Sequence, residues 1–176
     1  MENKKSPVDI GVTKDMLNPT ASPLSDEELK EISFQIKQEN RQFIRFNSLG
    51  ELTGINNLIN YYNICENNPD NVFGLWTKRK NLVQKITLKK PDNLSLIYSN
   101  MYIDQPLNKV PAGFNGVFNV VSYGYAIENN IKPSCTGQCI NCLKCYTEKN
   151  TNVVELLKRD QNSIKKGLLK PLCEVQ

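Results

Sequence analysis

Short apolar runs recur through the middle of the chain at Phe43–Phe46, Val72–Trp76, Leu94–Tyr98 and Gly116–Val121. Each begins roughly 20–30 residues after the previous one, the length that a crossover between parallel strands needs. Between the first three runs the apolar period changes to that of a helix. Ile55, Leu58, Ile59, Tyr62 and Cys65 fall on one helical face, with Thr53 placed to cap it; Leu82, Val83 and Ile86 form a shorter set behind Asn81. Upstream, Ser25 and Glu28 fit a capping box for a helix carrying Leu29, Ile32 and Ile36. Strands alternating with helices predict an α/β fold with a mainly parallel βα-repeat sheet. Four such steps are too few to close a barrel, which leaves sheet edges to be covered.

Three segments follow from this pattern. Residues 1–24, broken by Pro7, Pro19 and Pro23, are expected to be a flexible arm. Residues 25–132 make the α/β core, and residues 133–176 a Cys-rich metal-binding segment with a terminal helix. Asn152 and Glu155 suggest a second capping box for that helix, with Val153, Val154, Leu156, Leu157 and Ile164 running through about Lys166.

In a parallel sheet the loops that leave the strands emerge at one edge, and ligand sites lie there. Those loops carry Asn47, Ser48, Glu51, Lys78, Arg79 and Ser99. Lys78 and Arg79 could grip a small anionic ligand or substrate, or form a solvated basic loop. Glu51 could serve as a base or ligand, or favour a helix N-terminus by charge alone. Arg45 interrupts an apolar strand; a buried guanidinium needs a partner, and Glu51 is the candidate. Trp76 reads as core in preference to a stacking platform.

The chain has no histidine. That removes Ser-His-Asp and Cys-His catalysis in their usual forms, and every His-ligated metal site. No stretch reaches the roughly 18 apolar residues of a membrane helix, and the N-terminus lacks an apolar leader core. A cytoplasmic location with reduced thiols is the expectation. The formal charge of +4 permits weak attraction to nucleic acid without arguing for it. The Lys158-Arg159 and Lys165-Lys166 pairs read first as a solvated helix face.

Cys135, Cys139, Cys142 and Cys145 are spaced C-x3-C-x2-C-x2-C. Each C-x2-C step lets two sulfurs face a common centre while backbone N–H groups turn toward them. Four thiolates suit a 4Fe–4S cluster or a zinc ion. Zinc sites usually join two cysteine pairs separated by a dozen or more residues. A compact run is more typical of iron–sulfur ligation, which puts a cluster ahead of zinc, and zinc ahead of reduced or disulfide-bonded thiols. The first three cysteines also have the spacing of radical S-adenosylmethionine enzymes. Cys173 could replace one ligand, and Cys65, at a helical core position, reads as buried.

The chain resembles the gene product eighty-eight proteins of phages and bacteria. The residues that carry the resemblance are Arg45–Leu52, Leu75–Arg79 and the Cys135–Tyr146 run, across residues 40–147. That family is similar to radical S-adenosylmethionine proteins with partial barrels. The resemblance implies an iron–sulfur centre at the barrel mouth near Arg45, Glu51, Lys78 and Arg79. One departure is plain: longer relatives have cysteines upstream of the Arg-Phe strand, whereas this chain has none before Cys65. Together these expectations describe an iron–sulfur, or other metal-binding, protein of phage or mobile-element type, which the resemblance would make a shortened radical S-adenosylmethionine-like protein; the alternative is a non-enzymatic zinc-stabilised module that contacts nucleic acid or a host protein.

Overall fold

The protein is described here from a computed structural model covering residues 8–9, 22–47, 50–135 and 137–172. Most of the expected arm, together with Ser48 and Cys173, lies outside the described residues. The fold is α/β. Among the described residues the strands are β1 (Val8–Asp9), β2 (Phe43–Phe46), β3 (Val72–Thr77), β4 (Leu94–Ile103), β5 (Gly116–Val121) and β6 (Thr151–Leu156). They form one sheet in the order β1-β2-β3-β4-β5-β6, and every pair is parallel. No helix of the described residues is long and apolar enough to cross a membrane.

The first helix, α1 (Asp26–Glu39), starts at the expected capping box: Ser25 Oγ accepts from Glu28 N, and Glu28 Oε2 accepts from Ser25 N at 2.8 Å. Next, α2 (Ile55–Glu66) buries Leu58, Tyr61, Tyr62, Ile64 and Cys65. Its N-cap is Gly54, not Thr53; both the Thr53 hydroxyl and its N–H donate forward to Asn57 Oδ1 instead. The short α3 (Lys80–Lys85) likewise has Arg79 at its N-cap position, so the expected cap Asn81 lies inside the helix. These helices pack on one face of the sheet, where Ile44, Phe46, Phe73, Leu75, Leu94 and Leu96 join Leu58 and Ile64 in the main core.

A smaller core of Val121, Ala126 and Leu156 lies at the other end of the sheet, with α4 (Tyr123–Glu128) and Ile164 of α7 (Lys158–Lys165) packed against it. No helix separates β4 from β5. There the fully buried Asn119 holds the connection: its Oδ1 accepts from Leu107 N and Asn100 Nδ2, and its Nδ2 donates to Leu107 O and Asn152 Oδ1.

The segment after the cysteines departs from expectation. Residues Thr151–Leu156 are a strand, and only Lys158–Lys165 is helical. Asn152 and Glu155 therefore cap nothing. The strand wins because it pairs with β5 residue for residue from Gly116↔Thr151 to Val121↔Leu156. Pairing with β5 satisfies the inward-facing backbone groups along the whole segment, and Ser134 and Cys135 meet Val154 on its outer side.

Candidate functional site

The sheet face opposite α1, α2 and α3 takes the alternate residues of each strand. By register these include Arg45 beside Gly74, Trp76 beside Ile97, and Ser99 beside Phe118. The cysteine segment covers this face with two short helices, α5 (Cys139–Cys142) and α6 (Lys144–Thr147). Leu143 joins them in the left-handed region at φ 50°. In α5 the C-x2-C step spans one helical turn, so Cys139 and Cys142 share a side; the turn at Leu143 redirects the chain so that Cys145 follows on the next helix.

Three contacts dock this segment. Ser134 N and Cys135 N donate to Val154 O on β6 at 2.9 and 3.0 Å. Ser95 Oγ on β4 donates to Cys145 O at 2.6 Å. The buried ring of Tyr146 stands edge-on to Phe43 and Trp76, with ring centres 5.6 and 5.5 Å apart. Gly74 makes the room. A Cβ there would lie 2.7 Å from Tyr146 Cε1 and 2.8 Å from Trp76 Cζ3.

Cys135, Cys139, Cys142 and Cys145 all line one pocket of about 350 Å³ counted to its open mouth, together with Gln138, Leu143, Tyr146 and Val153. None of the four, nor Cys65, is in a disulfide. Burial pushes the Cys145 thiol up to about 12, the other three cysteines add to this, and Arg45 opposes it. Burial also raises Cys135, against a backbone hydrogen bond from Gly137. Among the described residues, no three or more Cys, Asp or Glu side chains are grouped so that they could hold a metal ion. The pocket thus gathers the four cysteines around one space without grouping three of them closely enough to hold an ion.

The remaining candidates separate into two sets. Arg45 is half-buried on the cysteine side of the sheet, its guanidinium 4.5 Å from the centre of the Trp76 ring. The expected Arg45–Glu51 pair does not form among the described residues. Glu51 Oε1 accepts from Leu52 N and Thr77 Oγ1, and its Oε2 accepts from Lys78 N at 2.7 Å. Arg79 Nη1 donates to Leu52 O at 3.1 Å. Glu51, Lys78 and Arg79 therefore tie the β2 exit to the β3 exit, and none of them lines the cysteine pocket. Asn47 is buried away from that edge, accepting from Tyr61 Oη at 2.7 Å. Ser99 lies on the cysteine face of β4 by register, outside the pocket lining.

Three residues that matter here were not candidates from sequence: Ser95, Tyr146 and Gly74. Only Gly74 carried a local sign, because a glycine inside a strand marks a close approach. Comparison with family models, with curated proteins and with solved structures gives no significant match.

Proposed function

We propose that this is an iron–sulfur protein whose cluster is held by Cys135, Cys139, Cys142 and Cys145 on the face of a partial-barrel-like sheet opposite α1, α2 and α3. The observation that carries this is the one pocket lined by all four thiols. Their compact spacing favours a cluster. Four protein ligands leave no iron open, which suits electron transfer or a structural cluster better than substrate activation. Kinship with the gene product eighty-eight proteins belongs to the same proposal and rests on the motifs given above. An anionic ligand at the strand-exit edge would meet the exposed Lys78 before Arg79, whose guanidinium is engaged by Leu52 O.

The test is anaerobic purification followed by visible absorption and metal analysis. A brown protein with iron and acid-labile sulfide, lost on Cys142→Ser, supports the proposal. A colourless protein with one zinc per chain replaces it with the zinc-stabilised binding module, whose affinity for nucleic acid would then fall with added salt. Neither metal would end both.

A further inference from the structure

Tyr146 carries a buried hydroxyl without a partner. The residue is 7% exposed, and among the described residues its Oη makes no hydrogen bond. A buried tyrosine hydroxyl ordinarily finds one. Among the described residues it is the one such group that lines the cysteine pocket. The ring needs no hydroxyl to stay where it is. It stands edge-on to Phe43 and Trp76 over Gly74, contacts that a phenylalanine would make equally well. Burial raises this phenol well above its ordinary range, Arg45 opposes the shift, and the thiols of Cys139 and Cys145 add to it. The group therefore keeps its proton, in surroundings it shares with two of the pocket's four thiols.

The missing bond has a chemical reason. The sulfur of a neutral thiol is a weak acceptor. A metal removes that limit, because it deprotonates the thiols it binds, and an ionised acceptor makes a stronger bond. We infer that the Tyr146 hydroxyl donates a hydrogen bond to a thiolate of the loaded centre, that of Cys139 or Cys145, and so holds the centre against the sheet. This role rests on the metal reading above. It makes Tyr146 a positioning residue and not a ligand, and it accounts for a tyrosine where ring packing alone asks only for phenylalanine. The buried hydroxyl counts against the empty site, where it is unpaired, and for the filled one, where it is paired.

Zinc alone is the probe, because a four-cysteine set binds it. The full-length reduced chain is titrated anaerobically against a chromophoric zinc chelator as wild type, Tyr146→Phe and Cys142→Ser. Metal-free wild type and Tyr146→Phe are also unfolded in urea. Tyr146→Phe should bind zinc about 10- to 100-fold more weakly, the range for residues just outside a ligand shell. Its metal-free urea midpoint should equal that of wild type or exceed it, because no bond is lost; a merely structural hydroxyl would give the opposite pattern. If Tyr146→Phe takes up zinc like wild type while Cys142→Ser is weakened, the metal reading stands and the hydroxyl role fails. If the metal-free midpoint of Tyr146→Phe falls, or the variant does not fold, the hydroxyl already has a partner within the chain and the role fails. A chain that takes up iron and sulfide but no zinc is compared by the same criteria on retention of the cluster against a chelator. One that takes up neither ends the metal reading and this role with it.

Discussion

Gly74→Ala adds one methyl group and should be among the most damaging single-atom changes in this chain. The new Cβ would lie 2.7 Å from Tyr146 Cε1, 2.8 Å from Trp76 Cζ3 and 3.1 Å from Tyr146 Cδ1. Carbon atoms prefer about 3.5–4.0 Å, so two rings must each yield by nearly an ångström. Neither is free: Tyr146 is wedged against Phe43 and Trp76, and Trp76 lies under Arg45. Overpacking of this kind costs about 1–3 kcal/mol. Alanine regains roughly 0.5–1 kcal/mol of backbone entropy over glycine, leaving a net loss centred on about 1.3 kcal/mol and at most about 2.5 kcal/mol. With a urea dependence of about 1–3 kcal/mol per molar, the midpoint should fall by about half to one molar. Trp76 is the only tryptophan, so its fluorescence follows the site directly. Gly124→Ala is the control, because a Cβ there meets nothing within 4 Å, and it should be neutral or slightly stabilising. Tyr146→Leu in the Gly74→Ala background removes the struck ring edge, so the two losses should be less than additive. An unchanged midpoint for Gly74→Ala, or strict additivity of the pair, would refute the idea that this glycine exists to seat α6.

Two further outcomes follow from the same contacts. Glu51→Ala leaves Leu52 N, Lys78 N and Thr77 Oγ1 without their acceptor and should destabilise by about 1–3 kcal/mol; a loss below about 0.5 kcal/mol in urea titration would show that water substitutes for the carboxylate. Iodoacetamide on the metal-free chain should modify the exposed Cys142 first and leave Cys65 untouched until the chain unfolds. Cys65 is fully buried, and that burial pushes its thiol far up. Peptide mapping checks this, and labelling of both at comparable rates in native buffer would contradict the described packing of α2.

The central strands were legible because parallel strands covered on both faces read as largely apolar runs; β2, β3, β5 and the first half of β4 lie on such runs. The last strand was not. Thr151-Asn152-Val153-Val154-Glu155-Leu156 carries a capping-box spacing that is as good locally as its β-branched content. What decides between them is remote: β5 offers a free edge, and Gly116 leaves room for Thr151 O, which a Cβ there would approach to 2.7 Å. Arg45 shows the same limit in the site. A guanidinium in an apolar strand correctly announces a need for a neighbour, and sequence proximity nominated Glu51. The carboxylate instead went to the β3 exit, where two backbone N–H groups and a hydroxyl were waiting. Spacing told that four thiols could share a guest, yet the face of the sheet they would cover depended on Tyr146 finding the one gap between Phe43 and Trp76. That gap is Gly74, so a residue with no side chain determines where the cysteine segment docks, and nothing adjacent to the cysteines in the chain could have announced it.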